Sequence, residues 1–477
     1  MPKSAKHQKR TAPAASALRR SRLINWIAGV VVLGMVATVA VISAGFDAAE
    51  APRQEASVWA IKGGGSGTGQ YGRVNTLTGE IDAVRQVENS TGLLQQGSNT
   101  VVLARGKGWG IDPTGPHDLV DEKSAGAGKA SGAQQGSPSA DPGSGGAESP
   151  SVDLPPGVVG DPISAGDAVL FRTEEGRAYL SRLTDAASGG AASASTLSSG
   201  QELDPLAEER AQADPKAAEK LQFFVDAAAM DENGEVALYS ADAHEVRWYS
   251  GTRGAFTRTD EVPEIDLGED ARKALQLAIV AGSWVLFDST TGRLWREGSA
   301  DRPIATGVDQ GGRLQASSTA AAGDEVLVAG PGGLWRSSTK RIEAQQQSAI
   351  PAQPMAVGAT RFAGWVASAG EVSAVLWTLS EPGAKPETKQ LEADATAKPE
   401  QGDRKAVFRS SGTSSLLTEQ ASGTMWLVPD GRLISAAQWG MDETAEQPQK
   451  TETKEPKDQL PPVAVDDEFG VRAGEPT

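Results

Sequence analysis

The sequence predicts an all-β protein: a β-propeller of about seven blades (seven or eight) carried behind one N-terminal transmembrane helix. Three observations predict it. A hairpin-like unit recurs with starts about 40–50 residues apart, except where an insertion stretches the gap, the spacing of propeller blades. A long uncharged run follows a basic N-terminus. The chain has no cysteine, so any exported domain must be stabilised by a large buried core rather than by disulfides.

The repeat comes first. Units 98–112, 166–183, 234–250, 282–298, 323–338, 362–379 and 414–434 each join two β-rich runs through a Gly-containing turn. In VLFDSTTGRLW the glycine supplies the positive φ that closes the hairpin. Segment 57–84 fits more loosely, as a closing strand or an eighth blade. Closure by a shared strand would remove exposed sheet edges. Trp109, Trp248, Trp295, Trp335, Trp377 and Trp426 recur at or near the second run. They are expected to wedge between neighbouring blades rather than to form a ligand cage. Tandem β-sandwiches, the competing fold, need about 90–100 residues per domain, twice the observed period.

The anchor comes next. Lys3, Lys6, Lys9, Arg10, Arg19, Arg20 and Arg22 all precede the first acidic residue, Asp47. Residues 23–46 carry no charge, and 24 residues of helix reach about 36 Å, more than the ~30 Å hydrocarbon core. The basic flank predicts a cytoplasmic N-terminus with the remaining chain outside. A cleaved signal peptide has the same charge order but an apolar stretch of only about 7–15 residues. Ala48, Ala49 and Ala51 nevertheless offer small residues for a peptidase. Either reading exports the rest.

The expected organisation is a tail over 1–22, the helix over 23–46, and a propeller over 52–440. Insertions interrupt the propeller at 121–155, read as disordered, and at 186–220, read as holding a short helix broken at Pro215. A Pro/Glu/Lys linker spans 441–462, and 463–477 begins a further repeat.

Charge bounds the partners. Net charge is −17, and without the seven leading cations 38 basic residues face 62 acidic ones, −24. That balance argues against a nucleic-acid surface, which needs clustered Lys and Arg. The expected partners are the lipid bilayer, through 23–46, and a cell-wall polysaccharide or another surface protein.

No catalytic, cofactor-binding or metal-binding residue is assigned, and no cofactor is expected. Only His7, His117 and His244 are present, with no metal-ligand spacing. KGGGSGTG at 62–69 lacks the Gly-Lys-Ser/Thr ending of a phosphate loop. Asp231-Glu232-Asn233-Gly234-Glu235 reads as a turn rather than a calcium loop. Asp260, Glu261, Glu264, Asp266, Glu269 and Asp270 read as a solvated acidic loop.

Two resemblances follow from particular residues. FDSTTGRLW and NTLTGEI resemble the hairpin of quinoprotein-type propeller repeats, which read Asp-x-x-Thr-Gly-x-x-x-Trp. The likeness implies blade geometry and does not carry the quinone over. PPVAVDDEFGVRAGEPT, 461–477, resembles the opening of bacterial cadherin-like or immunoglobulin-like repeats, through Val463-Ala464-Val465-Asp466-Asp467 and Gly474. The whole layout resembles the N-terminal part of large membrane-anchored surface proteins of actinobacteria, where such repeats, or fibronectin type III repeats, follow a propeller. That resemblance implies a chain continuing beyond Thr477 and a non-catalytic binding or spacer module at the cell wall. The alternative is a carbohydrate-active enzyme or an accessory polysaccharide-binding module, built from Trp platforms beside paired carboxylates.

Overall fold

A computed structural model describes residues 57–63, 67–111, 118–120, 151–184, 195–265, 272–308, 310–344, 346, 349–397 and 404–443. The expected tail, transmembrane helix and terminal repeat lie outside these residues, as do His7 and His117 and nearly all of the 441–462 linker. Among the described residues no helix is long and apolar enough to cross a membrane.

Among the described residues eight antiparallel sheets form the fold. In chain order they are blade 1 (57–88), blade 2 (90–153), blade 3 (163–202), blade 4 (227–261), blade 5 (275–305), blade 6 (313–343), blade 7 (349–390) and blade 8 (406–434). Each predicted hairpin is the pair of middle strands of one blade; unit 282–298, for example, becomes Ser283–Asp288 paired with Arg293–Arg296. The looser segment 57–84 forms a blade of its own, blade 1, which brings the number to eight among the described residues.

Among the described residues the core is divided rather than single. Eight hydrophobic clusters occur, one at each interface between neighbouring blades, including the interface of blade 8 with blade 1. The ring is therefore closed, and each blade buries both faces against its neighbours, as a stacked repeat must. The recurrent tryptophans sit in these clusters. Trp295, Trp335, Trp377 and Trp426 pack toward the preceding blade and are at most 4% exposed. Trp248 breaks the rule and packs toward blade 5, while its neighbour Tyr249 packs toward blade 3. Successive strand residues face opposite sides of a sheet, so a one-residue shift of the aromatic exchanges the interface it fills.

Ring closure differs from expectation. In blades 2 to 8 the first-to-second strand turns emerge on one face, here called lower, and the second-to-third turns on the upper face. In blade 1 the first turn lies on the upper face. Gly63 N–H donates to Gln420 O at 2.8 Å, in the second-to-third turn of blade 8, and Asn89 N–H donates to Gly67 O at 3.1 Å just before blade 2 begins. The strands of blade 1 (Ser57–Lys62, Thr68–Asn75 and Glu80–Glu88) thus run like the second, third and fourth strands of the other blades. Among the described residues no strand occupies its innermost position, and none is shared between the ends of the chain.

Side chains substitute for that strand. The Gln95 amide accepts from Trp59 N–H at 2.8 Å and donates to Ser57 O at 3.1 Å, doing for the open edge what a strand would do. The innermost strands of blades 2 and 8 meet in front of blade 1: Gly97 N–H donates to Ser411 O at 3.1 Å, and Arg409 Nη1 donates to Leu93 O at 3.0 Å. On the outer side the 3-10 segment Ala436–Glu443 covers blade 1. Trp439, 2% exposed, lies in the blade 8/blade 1 cluster and donates from Nε1 to Gly423 O at 2.8 Å.

The insertions are partly ordered. Ser151–Asp153, inside the expected disordered insertion 121–155, is the outer strand of blade 2, paired with Lys107–Trp109. Its register on a well-formed hairpin outweighs the weak apolar content of its sequence. In 186–220 two helices appear, Ala207–Gln212 and Pro215–Ala218. Pro215 opens the second at its first turn, with the Asp214 side chain accepting from the N–H groups of Lys216 and Ala217.

Candidate functional site

A cleft opens on the lower face between blades 4 and 5, with a volume of about 180 Å³, lined by Asp231, Glu235, Trp248, Thr257, Arg258, Ile279 and Gly282. It sets carboxylates beside a tryptophan, the composition a sugar site requires. The geometry assigns these groups other work. Asp231 Oδ1 accepts from the N–H groups of Asn233 (2.9 Å) and Glu235 (3.0 Å), the turn expected from Asp-Glu-Asn-Gly. Glu235 Oε1 accepts from Ser250 Oγ at 2.7 Å. The Arg258 guanidinium lies 4.3 Å from the centroid of the Trp248 ring, on the surface a sugar would need for stacking. Ion pairs to Asp260 (3.0 Å) and Glu297 (3.1 Å) hold it there, and Trp248 Nε1 donates to Asp260 at 2.7 Å.

Asp260 and Glu261 therefore correct one expectation. They belong to the outer strand Ala255–Glu261, not to a solvated loop, and Asp260 is tied to both Trp248 and Arg258. The acid spacing in the sequence carried no information about the indole across the strand pair. Glu264 lies beyond the strand, and Asp266, Glu269 and Asp270 lie outside the described residues.

On the upper face a second polar group gathers at the junction of blades 3, 4 and 5. Asp226 is 3% exposed; Oδ2 accepts from Ala241 N–H at 2.7 Å, and Oδ1 has no partner. Burial pushes its carboxyl above the usual carboxylate range. Tyr239 is fully buried with an unpartnered hydroxyl, and Arg172 donates to the Asp226 carbonyl. Arg272 pairs with Asp242 at 2.6 Å and holds that carboxyl below its ordinary range. His244 occupies a left-handed turn position, φ 54°, with Nδ1 buried and unpartnered. Among the described residues no three His, Asp or Glu side chains converge as a metal site.

A third group lies at the axis, where sequence reasoning assigned nothing. Arg404, Lys405 and Arg409 stand on and just before the innermost strand of blade 8, Ala406–Ser410. Lys405 Nζ reaches Asp161, just before blade 3, at 2.8 Å. The signal was present as RKAVFR, three cations in six residues of an acidic chain. Its position at the axis depends on ring closure, which the sequence does not show.

No protein-family model matches the chain, and no curated protein matches it. Solved structures similar to it include BamB from Moraxella catarrhalis, at 12% identity over 76% of this chain and 89% of that one, with a TM-score of 0.36. The β-propeller domain of Cps50 (Swd1) from Myceliophteria thermophila is similar at 10% identity over 76% and 88%, TM-score 0.34. Virginiamycin B lyase from Staphylococcus aureus is similar at 11% identity over 59% and 85%, TM-score 0.34. These likenesses say nothing of what this chain does.

Proposed function

We propose that this chain is a membrane-tethered, non-catalytic module whose propeller is held outside the cytoplasm as a rigid binding or spacing platform. The observation that carries the reading is the fate of the chemistry-bearing residues. Asp231 builds a turn, Asp260 orients Trp248, Arg258 covers the indole, and the other hairpin tryptophans fill blade interfaces. A working glycosidase needs one carboxyl free to donate a proton and a second facing the sugar. The uncharged run 23–46 behind seven cations supplies the tether.

The test is turnover. The full chain in detergent, offered cell-wall glycan, is expected to release no soluble fragment above the buffer control. Release of reducing ends that is abolished by Glu235→Gln would overturn the reading in favour of a carbohydrate-active enzyme using the blade 4/blade 5 cleft.

A further inference from the structure

We propose that the propeller axis holds a binding site for an oxyanion, a phosphate or carboxylate group, centred on Arg409 and Lys405. The argument is one of unbalanced charge. Most arginines with described partners face carboxylates: Arg336 and Arg361 share Glu325, and Arg258 lies between Asp260 and Glu297. The axis differs. Arg404 donates to two blade 7 carbonyls, Ala367 O at 2.6 Å and Gly370 O at 3.0 Å. Arg409 donates to one carbonyl, Leu93 O at 3.0 Å, and among the described residues no carboxylate forms a salt bridge or hydrogen bond with it.

Asp161 is the one described acid joined to this group, and Lys405 holds both of its oxygens, at 2.9 and 2.8 Å. Among the described residues Lys405 alone bonds this carboxylate, while Arg404 and Arg409 bond only backbone carbonyls, in a chain whose net charge is −17. A guanidinium offers five N–H donors in a planar fork suited to two oxygens of one anion. Among the described residues Arg409 spends one of them. It is half-buried, and its charge is disfavoured by that burial while Asp161 favours it, so an arriving anion would relieve the imbalance. The Lys405–Asp161 bridge is solvent-exposed, which leaves the upper end of the axis open to a small ligand. Low-dielectric walls concentrate such a field on a ligand drawn from solution. This site stands independently of whether the protein catalyses a reaction.

The test is isothermal titration of the full chain with inorganic phosphate in one arm and acetate in the other. Saturable binding in either arm, weakening with added sodium chloride, is expected, and the arm that titrates identifies the class of anion. Arg409→Gln is expected to lower affinity at least tenfold. Because Arg409 also helps close the ring, Asp161→Asn provides a variant that a merely structural role would not explain. It removes the competing carboxylate and frees Lys405, and it is expected to tighten binding about threefold or more. Absence of heat in both arms, or an Asp161→Asn chain that binds no more tightly than the parent, would overturn the site.

Discussion

Glu325→Ala is expected to destabilise the protein by about 3–5 kcal/mol, because it leaves the buried Arg361 guanidinium with no carboxylate and takes one of two from Arg336. Glu325 stands at the lower end of the blade 6/blade 7 interface. Arg336 grips it through both oxygens, at 2.9 and 3.1 Å, and Arg361 of blade 7 adds a third bond at 2.7 Å. Arg361 is 2% exposed, so without Glu325 its charge keeps only the Ala322 carbonyl, with its Nε already unpartnered. Arg336 retains Glu343 at 3.0 Å and the Trp377 ring at 5.4 Å. Burial already pulls the Arg361 pKa down against the pull of Glu325. Replacing Glu325, Arg336 and Arg361 together with leucine or methionine is expected to be far milder than the single change, since it removes the charges with their desolvation cost. Urea unfolding of the three proteins checks this: a triple variant as unstable as Glu325→Ala would show that packing, not charge, dominates the junction.

Trp426→Ala is expected to cost a similar amount, about 3–5 kcal/mol, for a different reason. The indole is fully buried between blades 7 and 8, among Leu376, Leu391 and Leu417, and its Nε1 donates to Glu392 O at 2.8 Å. Truncation leaves a cavity and an unsatisfied carbonyl. Trp426→Phe keeps most of the packing and loses the hydrogen bond, so about 1–3 kcal/mol is expected. Leu77→Ala, at a side chain 76% exposed, serves as the control and is expected to lie within about 0.5 kcal/mol of the parent. Equal losses from Phe and Ala at 426 would mean that the hydrogen bond, not the ring, holds the two blades together.

Both sites show what was legible in the sequence. Middle strands were readable because they are buried on both faces and joined by glycine turns, as in Thr360–Ala367 with Ala374–Leu379. Inner and outer strands were not. Arg313–Leu314 is two residues long, and Glu387–Gln390 is exposed throughout, so neither carries an apolar pattern. The period gave the tryptophans their interfaces, and the Trp248/Tyr249 exchange follows from period-two alternation once the strand is placed. Nothing local distinguishes the strand directions of blade 1. They emerge from contacts such as Gly63 with Gln420, 357 residues away. The same holds for the axis: Arg409 meets Leu93 only because the first blade lacks its inner strand among the described residues, and that long-range geometry makes a site out of a plain basic hexapeptide.

The proposed arrangement holds the propeller outside the membrane by an N-terminal helix, and the absence of cysteine allows a direct measurement. Single cysteines at Ser4 and at the exposed Leu77 would be probed in intact cells with a membrane-impermeant maleimide. The account predicts that Leu77→Cys labels at once in the membrane fraction, while Ser4→Cys labels only after permeabilisation. Labelling of Ser4→Cys in intact cells, or protection of Leu77→Cys until the membrane is broken, would contradict it.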